Sequence, residues 1–233
     1  MAIDAIIQAR MSSTRLPGKV LMKLDGIPVL KCLIEQLSYS KLIDRKIIAT
    51  STNPDDDMII EFAKSLNVES FRGSSLNVLN RYYQCARHFS IKHIVRITAD
   101  NPLIDPEIID KVIKVYQKGN FDYVNNFVRR TYPSGTEVEV FSFNSLSKAW
   151  KNAKLPYEKE HVTPYIYNNP KKFSIGYVEH DVDLSKFSWS IDRMEDLKFV
   201  TALCKEIKKK PILLKDILNV IKKNPSIVKI SKH

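Results

Sequence analysis

The chain opens with an apolar run at residues 3–9 that empties into a short, polar, cationic stretch. Within ten residues Arg10, Arg15 and Lys19 are combined with Ser12, Ser13, Thr14 and Gly18. An apolar strand that ends in such a loop is how α/β folds hold a phosphate: backbone N–H groups and hydroxyls wrap the oxygens, and Lys and Arg neutralise their charge. The ligand class it points to is a nucleoside triphosphate. The loop is not a Walker P-loop, because GxxxxGK[ST] is absent and Val20 follows Lys19. The dinucleotide fingerprint GxGxxG is absent too.

The rest of the chain alternates β-like and helical patterns. Strand-like runs lie at residues 3–9, 46–50, 68–72, 93–98, 123–125, 137–143, 174–177 and 188–191. Helical patterns lie at 28–38, 55–66, 76–88, 106–118, 144–153, 159–167, 194–208 and 214–222. Asn53-Pro54-Asp55 and Asp105-Pro106-Glu107 are helix starts, each with a capping side chain, a proline and an acid in the first turn. Strand–helix alternation through residue 125 implies βαβ units and a largely parallel sheet. Beyond it the pattern loosens, and Glu137-Val138-Glu139-Val140-Phe141 alternates like an antiparallel strand with one wet face. The expectation is an α/β fold in one domain, 1–233: a nucleotide-binding half at 1–125, a smaller mixed half at 126–193, and lysine-rich C-terminal helices at 194–233.

The formal net charge of +11 is not spread evenly. Residues 198–233 carry ten Lys against Glu206 and Asp216, so this end accounts for +8 of it. It has no arginine and few aromatic residues for base stacking, so a solvated helical face is expected rather than a nucleic-acid surface. No apolar run approaches the ~18 residues of a membrane span, and Asp4 and Gln8 interrupt any secretory pattern. Cys32, Cys85 and Cys204 match no disulfide or zinc spacing. A reduced, cytoplasmic protein without membrane insertion is expected.

Two carboxylates stand out. Asp100 follows an apolar strand, where open α/β sheets place ligands; alternatively it serves the turn before Pro102. Asp192 ends the run Trp189-Ser190-Ile191 and could also cap the next helix. Two such carboxylates suit Mg²⁺, which prefers few protein oxygens together with waters and phosphate. Arg72, Asn77 and Arg81 lie at a strand end and the helix start after it, and Arg forks suit an anionic acceptor. Glu137 and Glu139 share one strand face and should both be wet or both in the site. His161 is either a helix-start residue or a site residue. Residues 131–136 read as a flexible turn that could close over the acceptor.

Gln8-Ala9-Arg10-Met11, followed by Ser13-Thr14-Arg15-Leu16-Pro17-Gly18-Lys19, resembles the opening motif of cytidylyltransferases that make CMP-activated sugar acids. The 3-deoxy-manno-octulosonate (Kdo) cytidylyltransferases open in a similar way. The likeness is fuller to the family named after the spore-coat polysaccharide biosynthesis protein F. It runs from residue 1 to about residue 200, through Phe71-Arg72-Gly73, Arg96-Ile97-Thr98-Ala99-Asp100, Pro102-Leu103-Ile104-Asp105-Pro106 and Glu160-His161-Val162-Thr163-Pro164-Tyr165. Guanylyl- and uridylyltransferases open instead with glycine-rich LAGG or LAAG loops, so Gln8-Ala9-Arg10 favours CTP. Ile191-Asp192-Arg193-Met194-Glu195-Asp196-Leu197 resembles a late (V/I)D-x-x-E-D-L motif. Two departures stand out: Kdo enzymes carry Gln-Gly where this chain has Thr98-Ala99, and family members often have Glu-Pro at Arg193-Met194.

The resemblance implies the three-layer, Rossmann-like fold of nucleotide-diphospho-sugar transferases, with a mostly parallel mixed sheet. It implies CTP and a small anionic acceptor as ligands, Mg²⁺ as cofactor, no nucleic-acid partner and a homodimer through the looser half. Asp100 and Asp192 would hold the metal, and Lys19, Arg15 and Asp100 would be catalytic. Gln8, Ala9, Arg10, Met11, Ser12, Ser13, Thr14, Arg15, Leu16, Lys19 and Thr98 would contact the nucleotide. Arg72, Asn77, Arg81, Glu137, Glu139 and His161 would face the acceptor. Two rivals remain. A nucleotide-sugar glycosyltransferase needs a DxD motif, and Asp55-Asp56-Asp57 or Asp181-Val182-Asp183 could supply one. A basic nucleic-acid-binding protein would rest on the +11 charge.

Overall fold

A computed structural model describes residues 1–231. Strand β1 (Asp4–Gln8) leads into a hairpin of β2 (Lys23–Leu24) and β3 (Ile27–Pro28). Then come α1 (Val29–Leu37), β4 (Arg45–Ser51), α2 (Asp57–Ser65), β5 (Glu69–Gly73), α3 (Val78–His88), β6 (His93–Thr98) and α4 (Pro106–Lys118). The chain continues through β7 (Tyr123–Asn125), β8 (Glu139–Ser142), α5 (Phe143–Asn152), α6 (Pro156–His161), α7 (Pro164–Tyr167), β9 (Ile175–Tyr177), α8 (Met194–Glu206) and α9 (Leu214–Lys223).

Seven of these strands form one sheet in the order β5-β4-β1-β6-β8-β7-β9, with β8 running against both of its neighbours. The apolar opening run sits near the middle of the parallel part. β1 is hydrogen-bonded to β4 on one edge and β6 on the other, with Gln8 opposite Ala49 and Thr98. Strand alternation then divides its side chains between two cores. Ala5 and Ile7 join Leu33 of α1, Ile113 of α4, Leu203 of α8 and Ile217 of α9. Ile6 joins Leu79 and Tyr82 of α3, Leu146 of α5 and Ile166 of α7 on the opposite face. Helices on both faces of a mostly parallel sheet make the three-layer α/β arrangement expected. Each such aliphatic side chain contributes about 1.5–3 kcal/mol on burial. In-register carboxyl ends of β1, β4 and β6 bring their following loops to a common rim.

Four local expectations differ from the structure. The β2–β3 hairpin was hidden in its shortness, although its Asp25-Gly26 turn is the residue pair that two-residue hairpins favour. The helix expected at 159–167 is two helices, because Val162 takes φ 73° and Pro164 begins the second. The strand expected at 137–143 starts only at Glu139. The run at 188–191 forms no ladder, only a bridge from Ser188 to Ser134. That bridge also removes the flap expected at residues 131–136. Tyr132 and Thr136 are buried, and Gly135, at φ 100°, lies so close to Trp189 that a β-carbon would sit 2.7 Å from its ring.

The lysine-rich end packs as an amphipathic pair. Leu203, Ile217 and Ile221 face the core, while Lys205, Lys208, Lys215, Lys222 and Lys223 are exposed. Lys232 lies outside the described residues. Among the described residues no helix is long and apolar enough to cross a membrane. One fully buried side chain fastens this end: Gln36 of α1 donates to Ile104 O at 2.9 Å and Ile212 O at 2.7 Å, and accepts from Ile212 N at 2.9 Å. Replacing it by an apolar residue of similar size orphans all three backbone groups. Gln36→Leu is therefore expected to destabilise the fold by about 2–4 kcal/mol, read as a lower midpoint in chemical denaturation. A change within ~0.5 kcal/mol, the range of surface substitutions, would show that this clasp is dispensable.

Candidate active site

At the end of β1 the chain turns at once. Ala9 N–H still reaches Ala49 O at 3.3 Å, and the loop then closes on itself: Met11 O accepts from Ser13 N at 2.9 Å and from Gly18 N at 2.8 Å. Gly18 takes φ 73°, a left-handed conformation that glycine adopts without steric cost. The 3-10 turn Lys19–Leu21 follows, and Leu16 is buried beneath the loop. A carboxylate from outside fixes the loop's start. Asp56, itself buried, accepts Met11 N–H at 2.7 Å and Ser51 N–H at 3.0 Å.

This closure carries Lys19 inward, to 8 % exposure. Its ammonium donates to Asp100 Oδ2 at 2.8 Å, to Ile191 O at 2.6 Å and to Asp192 Oδ1 at 3.0 Å. All three N–H groups of an ammonium are thereby engaged. Asp100 comes from the loop after β6. Ile191 N–H donates to Asp100 O at 2.9 Å, which lays Asp192 beside it. The helix-cap alternative for Asp192 is answered by its neighbour. Asp196 Oδ2 accepts from Asp192 N at 2.9 Å and Arg193 N at 2.8 Å, so Asp192 keeps its carboxylate for Lys19 and for Arg15 Nη2, at 2.9 Å.

These groups share a cavity of about 500 Å³, lined by Gln8, Arg10, Ser13, Thr14, Arg15, Lys19, Val20, Thr98, Ala99, Asp100, Glu160, His161 and Asp192. The loop, the β6 end, the segment before α8 and the end of α6 thus meet, as the carboxyl-end rule for open sheets requires. Ala9, Met11, Ser12 and Leu16 belong to the loop but do not line the cavity. Arg10 has no hydrogen bond or ion pair among the described residues. It stands there as a cation without a protein anion. Glu160 escaped the sequence reading, though it adjoins His161. Asp56 escaped it too, because an acid in a helix's first turn is ordinary there.

Four residues expected on the acceptor side are engaged elsewhere, and Glu137 is not in the cavity lining either. Arg72 pairs with Asp57 and donates to Asn53 O at 2.8 Å, fastening β5 to the start of α2. Asn77 caps α3 by accepting from Asn80 N at 2.9 Å. Arg81 is fully buried, donates to Ser74 O at 2.9 Å, and has its pKa lowered by that burial. Glu139 is buried in a pair with Arg96 and also accepts from Tyr123 OH at 2.8 Å and from Thr163 Oγ1. Glu137 precedes the strand rather than sharing its face. It pairs with Arg130 at 2.8 Å, accepts from Gly135 N at 2.8 Å, and so ties the packed turn together.

His161 reaches the cavity through a strained joint. Val162 is buried at φ 73°, ψ −56°, and Thr163 N–H donates across it to His161 O at 2.9 Å. This is a γ-turn of the rare positive-φ kind on a β-branched residue. It sends His161 to the cavity and Thr163 to Glu139.

Asp100 and Asp192 both reach the Lys19 ammonium, and such a pair of hard oxygen donors is the chemistry a small divalent cation takes, with phosphate and water to complete its shell. Among the described residues no group of three or more His, Cys, Asp or Glu is placed to hold a metal. Two carboxylates alone leave room for the waters and phosphate oxygens that Mg²⁺ prefers. The thiols take no part: Cys32 and Cys85 are buried and pushed up to about 12, Cys204 to about 11, chiefly by burial, and none lines the cavity.

Comparison with known proteins agrees along nearly the whole chain. The family model described as cytidylyltransferase matches residues 5–230. An uncharacterized protein of Methanocaldococcus jannaschii is 42% identical, with 100% of this chain and 96% of the relative covered. The spore coat polysaccharide biosynthesis protein SpsF of Bacillus subtilis is 32% identical over 94% of each. A solved cytidylyltransferase from Leptospira borgpetersenii superposes with TM-score 0.93 at 36% identity, covering 98% of this chain and 97% of that one. The likeness spans the loop, both carboxylate segments and the C-terminal helices alike, and the chain belongs to the cytidylyltransferase family.

Proposed function

We propose that the protein transfers CMP from CTP to a small anionic acceptor, a sugar acid or a related phosphate or phosphonate, with release of pyrophosphate. The carrying observation is the Lys19 ammonium bound to both Asp100 and Asp192 in a cavity that also holds Arg10 and Arg15. Paired carboxylates beside Arg10, which has no protein anion, and Arg15, whose ion pair is exposed, suit a triphosphate and its metal better than a neutral sugar. The name of the Bacillus subtilis relative supports a place in surface polysaccharide synthesis. Three unpaired cysteines suit a reducing cytoplasm.

In this reading an acceptor oxygen attacks the α-phosphorus, the bond to the bridging oxygen of the β-phosphate breaks, and pyrophosphate leaves. Arg10 takes phosphate charge, having no protein partner to give up. Arg15 reaches the same anion from the loop, where its exposed link to Asp192 is readily exchanged. Ser13 and Thr14 add hydroxyl donors. Asp100 and Asp192 would hold Mg²⁺, which when bound polarises the α-phosphoryl group and lowers the acceptor's pKa. Lys19 holds the two carboxylates together and screens their repulsion. His161 and Glu160, on the α6 wall, are the acceptor-side groups. Such a reaction needs positioning and charge stabilisation rather than a covalent intermediate.

Lys19→Ala, which sets the two carboxylates against each other, and Asp100→Asn, which weakens the pair that would hold the metal, are each expected to lower turnover by about 10²-fold or more, the scale of a lost electrostatic element of the site. Pyrophosphate release measures this, crossing the four nucleoside triphosphates with sugar acids, polyol phosphates and phosphonates. Near-normal turnover in both variants would sink the assignment.

Arg10→Ala is expected to raise KM for CTP by about 10- to 100-fold, as for a lost charge-assisted hydrogen bond, with kcat changed less. An unchanged KM would remove Arg10 from phosphate binding.

A further inference from the structure

Gln8 lies on the cavity wall at the end of β1, opposite Thr98 of β6. Its side-chain oxygen accepts from Arg96 Nη2 at 3.2 Å. Arginine only donates, so the Gln8 amide must turn its oxygen to Arg96 and its NH₂ away. No acceptor among the described residues takes that NH₂.

Arg96 cannot easily release the oxygen. It pairs with Glu139 across the β6–β8 ladder, and Glu139 is 2 % exposed and held in turn by Tyr123 OH and Thr163 Oγ1. Burial works against the Arg96 charge, but Glu139 together with Tyr82 and Tyr123 outweighs it and keeps the guanidinium above its ordinary range. A buried pair of this kind is a poor source of net stability. What it gives here is a fixed orientation for one amide.

We infer that the Glu139–Arg96 pair locks the Gln8 NH₂ toward the ligand and so makes Gln8 the residue that selects cytosine over uracil. The inference rests on the cytidylyl-transfer reading. The chemistry is a match of donors to acceptors. Cytosine offers bare N3 beside O2, two acceptors that a fixed NH₂ can serve. Uracil carries a hydrogen on N3 and sets donor against donor. A free amide could turn over and serve either base, so discrimination depends on a donor-only neighbour that is itself held. Gln8 contacts the base directly, whereas Arg96 and Glu139 are positioning residues.

The test is kcat/KM for CTP and for UTP, by pyrophosphate release, in the full-length enzyme. Gln8→Glu presents an acceptor to the base while keeping Arg96 paired. It is expected to lower the CTP/UTP ratio on the order of 10-fold or more, with loss on CTP and gain on UTP. Gln8→Met introduces no charge and should bring the ratio toward one by losing CTP alone. The double substitution Arg96→Met with Glu139→Gln leaves no buried charge unpaired, and should relax the ratio through KM more than through kcat. A CTP/UTP ratio that stays at the wild-type value in Gln8→Glu and Gln8→Met overturns the inference, whatever happens to kcat. A ratio relaxed in both but unmoved in the double variant overturns the positioning role. A wild-type enzyme without CTP preference overturns the reading beneath, and is told apart because it fails before any substitution is made.

Discussion

One ammonium group organises the site. Lys19 Nζ touches two carboxylates and a carbonyl from segments 81 to 173 residues away in sequence. Bringing Asp100 and Asp192 together without it would set two like charges against each other in a partly desolvated cleft, where the repulsion is several-fold stronger than in water. The loop geometry serves this placement. The bond from Gly18 N to Met11 O shortens the path back to the sheet, and Asp56 pins the loop's first N–H. Anything that displaced Lys19 would release both carboxylates at once, so the local fold and the candidate chemistry share one anchor.

Around that anchor the charges are sorted by depth. Lys19 lies deepest and Asp100 close above it, while Asp192 and Arg15 form an exposed pair at the rim. Arg10 lines the same cavity without a protein anion. An incoming polyanion therefore meets cations that it can bind without first breaking a buried pair. The lysine-rich end plays no part in this cavity, although it carries most of the net charge. Its lysines cover the outer faces of α8 and α9, which shows why net charge by itself says little about where a ligand binds.

The sequence made the central strand, the Asp105-capped start of α4 and the cationic loop legible because each is a local device, whereas Asn53 gives no side-chain cap and Pro54–Asp56 forms a 3-10 turn ahead of α2. A buried strand, a capped helix and a phosphate-type loop are written in adjacent residues. Asp100 was legible because it follows an apolar strand at the sheet's carboxyl edge; Asp192 follows a run that forms no ladder and is laid beside Asp100 by the bond from Ile191 N–H to Asp100 O. Arg72, Asn77, Arg81 and Glu139 were not, since residue type announces a charge but not its address. Arg81 sits one helical turn inside α3 and points at Ser74 O. Glu139 faces inward because β8 is covered on both sides rather than wet on one, and the alternation around it could not reveal that. Asp56 and Glu160 were missed for the opposite reason. Exposed-looking acids at helix ends are common, and only the tertiary fold shows that one of them holds the loop.

Glu139 also connects two walls that sequence alone keeps apart. Through Arg96 it reaches Gln8 on the β1 wall, and through Thr163 it reaches the segment that carries His161. Between His161 and Thr163 stands Val162, in a conformation that costs of order 1–3 kcal/mol for a β-branched residue. A relaxed backbone at that point would turn either His161 from the cavity or Thr163 from Glu139, because helical or extended torsions rotate successive residues differently. The strain persists because Val162 is packed in the core and Thr163 is held by Glu139. The turn thus joins the α6 wall to the Gln8 wall through one continuous chain of contacts, Thr163 to Glu139 to Arg96 to Gln8.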